Sequence, residues 1–209
     1  MNEISKLVEQ GYNKIANDYY NYRNVNKFNR ELEKFLSLLP KEAHVLDVGC
    51  GAGIPTANFL VKKGIKVTGI DLSDTMLRLA RENVPNAEFI KKDINEINFD
   101  ENIFDGVVSV YTLFHLPKKN HFLIFKKLYE ILKPGGILLI NTGVSESEGT
   151  SNFFGVPMFW SNYEPKTTLE LVKKAGFSII SECVLERGGE YQYWVFGKKN
   201  RIKSGKMSR

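Results

Sequence analysis

With 209 residues, 43% of them hydrophobic and 25% charged, the chain has the make-up of one well-cored globular domain with room for a small appendage. No window approaches 18 consecutive apolar residues, the opening MNEISKLVEQ carries charges where a signal peptide needs an apolar core, and two cysteines are too few for a disulfide framework or a metal cluster; membrane spanning and export are argued against, and a reduced, cytoplasmic setting is expected. The formal charge of +5 is local: the last twelve residues, KKNRIKSGKMSR, hold six Lys or Arg and no acid, and without them the balance is −1, so the basicity belongs to a tail and not to a nucleic-acid-binding face.

Residues 1–40 read as helical, with Phe28, Leu32, Phe35, Leu36 and Leu39 recurring at helical spacing before Pro40. From His44 onward, short apolar runs (HVLDVG, KVTGID, AEFIKKD, FDGVVSVYTLF, GILLINTG) alternate with helical stretches at Pro55–Lys63, Ser73–Asn83, Lys118–Leu132 and Pro165–Ala175. Strand and helix alternating at this spacing predict an α/β fold with a parallel sheet covered on both faces. KPGG at 133–136 reads as a turn needing positive φ. The final runs, FSIISECVLE and YQYWVFGKK, are separated only by RGGE, so the last strand must be antiparallel to its neighbour.

The glycines of DVGCGAG follow the first strand, at the edge of the sheet where ligands bind in such folds. Gly49, Gly51 and Gly53 alternate, and Ile54 stands where a dinucleotide fingerprint wants its third glycine, so the loop suits close backbone approach better than a pyrophosphate cradle. Pro55 fits the first turn of the following helix. Asp71 ends the second strand, 22 residues after Gly49, and is placed to accept both hydroxyls of a ribose, with Ser73 capping the next helix. Asp93 ends the third strand, where it can accept from an adenine amino group while the Ile94 backbone reads the ring edge. Taken alone, Asp71 and Asp93 each read first as helix caps.

The ordered set VLDVGCGAGIPT, VTGIDLSDTML, KKDI, FDGVVSVYTLFHL and LKPGGILLI resembles the class I S-adenosylmethionine-dependent methyltransferases, of the small-molecule type 11/25-like kind, over nearly everything from Ala43 to Lys199. The resemblance implies a Rossmann-like open twisted sheet of seven strands in the order 3-2-1-4-5-7-6 with strand 7 antiparallel. It divides the chain into an N-terminal helical cap or lid (1–40), a cofactor-binding domain (41–199) and a basic flexible tail (200–209). It implies S-adenosylmethionine as cofactor, held by Asp47, Gly49, Cys50, Gly51, Gly53, Asp71, Leu72, Met76, Asp93 and Ile94, with Tyr20 and Arg23 from the lid. Cys50 otherwise reads as a small packed residue, and Arg23 as a surface one.

His115, ending YTLFHL, is a structural hydrogen-bonder or a general base, whereas His44 and His121 read as structural. The segment 143–165 reads as a long aromatic insertion on the substrate side, or else as a local core. Its Phe159, Trp160 and Tyr163, with Tyr12, Tyr19, Tyr111 and His115, are the candidate substrate wall. No N/D-P-P-Y/F run follows strand 4, and neither the acidic pair of protein-arginine enzymes nor a catechol-type metal set is present. A small, partly apolar methyl acceptor is the remaining inference, with no metal, nucleic acid or membrane partner, in a monomer or homodimer. The competing readings are an NAD(P)-dependent oxidoreductase and a non-catalytic S-adenosylmethionine-binding regulator.

Overall fold

A computed structural model describes residues 1–25, 28–187 and 189–201, with the side chains of all of these but 23–25. Two helices come first, α1 (Glu3–Val25) and α2 (Asn29–Ser37). Strands and helices then alternate: β1 (His44–Val48), α3 (Thr56–Lys62), β2 (Lys66–Asp71), α4 (Asp74–Asn83), β3 (Glu88–Lys91), β4 (Phe104–Ser109), α5 (Lys118–Ile131) and β5 (Leu132–Thr142). A hairpin of β6 (Ser147–Phe153) and β7 (Val156–Asn162) precedes α6 (Pro165–Lys174), β8 (Phe177–Arg187) and β9 (Glu190–Lys199).

Seven strands pair in the order β3-β2-β1-β4-β5-β9-β8. β1 to β5 are mutually parallel, and β9 alone is reversed, running antiparallel to both β5 and β8. With the separate hairpin set aside, this is the expected 3-2-1-4-5-7-6 order. The central strands are apolar on both sides because helices cover both faces. On one face Val45, Val67 and Trp194 pack with Leu32 and Phe35 of α2 and Leu60 of α3; on the other Leu46, Val107 and Ile140 pack with Phe125 and Leu128 of α5 and Val172 of α6.

Three local expectations are corrected. Pro55 is the N-cap of α3, one residue before its first turn. KPGG does place Gly135 at φ +90, but within the β5 run, where the register against β4 jumps from Phe104↔Leu132 to Gly106↔Ile137. The 143–165 insertion is built on a two-stranded ladder running from Ser147↔Asn162 to Phe153↔Val156. Its turn residues, Phe154 at φ +51 and Gly155 at φ +81, are both left-handed, the geometry that matches strand twist. A Phe-Gly turn lacks the Asn-Gly or Asp-Gly signature, which is why the hairpin is not evident from sequence.

α1 lies outside the two main cores. Its Val8 and Ile15 pack on Met158 and Phe159 of β7, and its Ala16 packs on Ala52 and Met76. Asn13 ties it to α4: Asn13 Oδ1 accepts from Ser73 Oγ (2.7 Å) and from the Thr75 N–H (3.2 Å). α1 therefore closes over the carboxyl ends of β1, β2 and β4. Among the described residues no helix is long and apolar enough to cross a membrane.

Candidate functional site

The chain between β1 and α3 is pinned to β2, since the N–H groups of Gly49 and Cys50 both donate to Ile70 O (2.8 and 3.0 Å). Gly49 has φ +71, and a Cβ there would stand 2.0 Å from Thr112 Oγ1, so only glycine lets β1 and the segment after β4 come together. Gly51 differs: at φ +51 its would-be Cβ meets nothing within 4 Å, because it faces open space.

That space is a crevice under α1 with two adjoining lobes. The larger, with ≈ 710 Å³ between its walls including solvent at the mouth, is lined by residues that include Ser5, Val8, Tyr12, Asp71, Leu72 and Ile94, with Thr112 and His115 on the far side. The smaller, ≈ 530 Å³, is lined by residues that include Tyr20, Phe28, Asp47, Cys50 and Thr56. Tyr19, Gly49, Gly51, Met76, Val110 and Tyr111 border both.

Asp71 is held in place by backbone. Gly51 N–H donates to its Oδ2 and Ser73 N–H to its Oδ1, both at 2.9 Å. Burial raises its pKa, and the backbone donors of Ser73, Gly51 and Leu72 oppose that rise. Asp47 is more enclosed, 3% exposed, with Oδ2 lacking any partner. Burial first, and the neighbouring Asp71 charge second, push its pKa up to about 8. The same two causes hold the Cys50 thiol protonated, which removes it as a nucleophile.

Across the larger lobe stands a pair of side chains. His115 Nδ1 lies 2.8 Å from Phe159 O, and its Nε2 lies 2.8 Å from Tyr12 Oη. A carbonyl only accepts, so Nδ1 carries a proton, which leaves Nε2 to face the Tyr12 hydroxyl of α1. Tyr111 follows β4 with φ +59, its N–H donating to Asn141 Oδ1 (2.7 Å).

The structure thus brings Asp47, Gly49, Cys50, Gly51, Asp71, Leu72, Met76, Ile94, Tyr12, Tyr19, Tyr20, Tyr111 and His115 to one crevice. Gly53 is packed against Val84 and Phe89 instead. Asp93 caps a short turn, Oδ1 accepting from Asn95 N–H (2.8 Å), while its buried Oδ2 has no partner. Asp93 lines an adjacent groove with Lys91 and Glu96 that shares Leu72 and Lys92 with the larger lobe. Phe159 is buried against α1, and Trp160 backs the His115 ring at 4.7 Å. Tyr163 sits against His121 and Lys118, away from the crevice. Phe159 and Trp160 support the wall from behind, and none of the three lines it. The Arg23 side chain lies outside the described residues. His44 and His121 are structural: His44 Nε2 meets Thr68 Oγ1 at 2.9 Å, and His121 Nε2 meets Leu116 O at 3.2 Å.

Sequence reading missed Ser5, Val8 and Thr112. Ser5, Val8, Tyr12 and Tyr19 fall at spacings of three, four and seven, one helical face, and that periodicity was the available signal. Nothing local marks Thr112.

Residues 45–136 match the family described as Methyltransferase domain. A Bacillus subtilis protein named as a methyltransferase, YqeM, is 32% identical over 140 residues, 65% of this chain and 55% of that protein. The chain thus spans about half the length of that relative. A demethylmenaquinone methyltransferase of Listeria monocytogenes is 26% identical over 234 residues, covering 96% of this chain and 97% of its own. Among solved structures, a SAM-dependent methyltransferase from Methanosarcina mazei superposes with a TM-score of 0.71 at 21% identity, covering 80% of this chain and 97% of that one; this likeness is one of fold.

Proposed function

We propose that the chain, whose residues 45–136 match the methyltransferase domain family, is a class I S-adenosylmethionine-dependent methyltransferase that moves the cofactor's methyl group to a small-molecule acceptor bound between α1 and the carboxyl ends of β4 and β5. That the Listeria relative is a demethylmenaquinone methyltransferase supports an acceptor of small-molecule size.

The residues present fit the cofactor. Asp71 takes backbone donors from Gly51, Ser73 and Leu72 and lies in the wall of the crevice, where the carboxylate's remaining acceptor capacity would meet a ribose hydroxyl. Asp47 Oδ2 is buried and lacks a donor, which an amino group in the smaller lobe would supply. Gly51 keeps the passage between the lobes open. Bound S-adenosylmethionine supplies a methyl group on a cationic sulfur whose departure as a neutral thioether drives the transfer.

What remains for the protein is alignment and exclusion of water. Holding two reactants in line can supply ~7–11 kcal/mol of the barrier. α1 roofs the crevice, and its packing on β7 through Val8, Ile15, Met158 and Phe159 holds it there against bulk water. His115 Nε2, reached through the Tyr12 hydroxyl, is the base that would receive an acceptor proton.

One observation carries the reading: Asp47 and Asp71, on neighbouring strands, open onto the same crevice on either side of a glycine facing empty space. S-adenosylmethionine at millimolar concentration should raise the melting temperature, and a screen of hydroxyl, amine and thiol acceptors should release S-adenosylhomocysteine. An unchanged melting temperature would overturn the proposal.

A further inference from the structure

From His115 a chain of aromatic rings leads out of the crevice to the surface. His115 meets Tyr12 at 5.3 Å between centroids, Tyr12 meets Tyr19 at 5.2 Å, and Tyr19 meets Phe153 at 5.8 Å. Phe153 then meets Phe154 at 4.8 Å, and Phe154 meets Tyr22 at 5.5 Å. Tyr12, Tyr19 and Tyr22 share one face of α1 by spacing; Phe153 and Phe154 come from the β6–β7 turn. The ladder begins in the wall of the larger lobe and ends in solvent, with Phe154 41% and Tyr22 38% exposed.

A purely local core would bury its outermost rings, and this one exposes them. Phe154 also occupies a left-handed turn position, φ +51, that glycine, asparagine or aspartate adopts more readily. The surrounding hairpin has no charged residue from Gly149 to Tyr163. The outer end is thus apolar and uncharged, whereas the inner end holds the hydroxyl–imidazole pair.

We propose that this ladder is a subsite for the uncharged alkyl or prenyl tail of an amphiphilic acceptor, whose hydroxyl or amine head lies at Tyr12 and His115 while the tail runs outward over the edges of the successive rings and ends against the exposed faces of Phe154 and Tyr22. The inference rests on the methyl-transfer reading and specifies the acceptor's shape. It concerns a single bound molecule; a lipid surface is the rival occupant of the same patch.

The test uses the full chain, with Phe154→Asn, which keeps a residue tolerant of the left-handed turn, and Tyr22→Gln on the opposite side. Calorimetric dissociation constants are measured for 4-ethylphenol and 4-hexylphenol, with S-adenosylhomocysteine affinity recorded for all three proteins. The longer tail should bind at least about tenfold more tightly to the parent protein, and each variant should cut that gain about fivefold while S-adenosylhomocysteine affinity stays unchanged. No gain in the parent protein, or an equal gain in both variants, overturns the proposal. So does sedimentation of the parent protein with phosphatidylcholine vesicles without a tail-length gain, which reassigns the patch to a membrane. Failure of S-adenosylhomocysteine to bind sinks the methyl-transfer reading instead, and the tail comparison is still decided by the phenols.

Discussion

The two sides of the crevice are built differently. The side formed by β1, β2 and the loop at Gly49 is held by main chain: sheet register sets Asp47 opposite Gly69 and Val48 opposite Ile70, and backbone N–H groups fix the Asp71 carboxylate. The opposite side, formed by α1 and the turn at His115 and backed by the β6–β7 hairpin, is held by side chains from segments about a hundred residues apart, such as Tyr12 on His115. A wall set by register tolerates changes of side chain except where the backbone itself needs glycine or a carboxylate. A wall set by packing changes with each ring that lines it, which suits the half of the site that must select an acceptor.

The largest effects should come from forcing the main-chain wall. Gly49→Ala drives a Cβ to 2.0 Å from Thr112 Oγ1 at φ +71, and chemical denaturation should show a loss of several kcal/mol, roughly the 1–3 kcal/mol of the strained backbone plus the clash. Gly51→Ala has open space at φ +51, so it should cost only ~1–2 kcal/mol of stability while still obstructing cofactor binding. If the two behave alike, the main-chain wall is not what separates them.

Next in size, Asp71→Ala should weaken S-adenosylmethionine binding by about 10²-fold, two charge-assisted hydrogen bonds at ~1.5–3 kcal/mol each being the upper limit. Binding titrations measure this directly; a change under about threefold would remove Asp71 from the site.

Asp47 gives a pH signature. Its folded pKa, about 8, lies above the ordinary value of 3.8, so the folded chain binds the extra proton between those limits. The stability associated with that proton is complete below pH 4 and is lost as pH rises to about 8. Asp47→Asn, uncharged throughout, should therefore gain on the parent protein across that window, by up to ~1.4 kcal/mol per pH unit. At pH 7 a cationic amino group arriving beside Asp47 should release a proton, seen as a dependence of binding enthalpy on buffer. The smallest effect tests the packed wall: Tyr12→Phe removes one hydrogen bond of ~1 kcal/mol from His115, so kcat should fall by less than about tenfold, with cofactor affinity unchanged.

How far each wall could be read beforehand follows from the same contrast. Asp47, Gly49, Gly51 and Asp71 were legible because strand ends and glycine spacing are short-range patterns. Asp93 and Gly53 show the limit of that reading. Both lie in the right motif, yet the first caps a turn and the second makes room for Val84 and Phe89. On the packed side Phe159, Trp160 and Tyr163 had the right residue types, but the hairpin turns Phe159 and Trp160 behind His115 and Tyr163 toward His121, and packs Phe153 and Phe154 on Tyr19. An unrecognised Phe-Gly turn hid the hairpin, and with it which of these rings pack on α1 and which on His115.

By itself the sequence determined the sheet, its one reversed strand and the carboxylates at its edge, because periodicity and turn residues are local and the parallel crossover rules leave few ways to connect them. Only the tertiary structure decided that Ser5, Val8 and Tyr12 roof the crevice, that Tyr12 engages His115, and that an aromatic ladder runs to the surface. Those contacts join residues far apart in the chain, and their geometry is fixed by how helix and hairpin pack on one another.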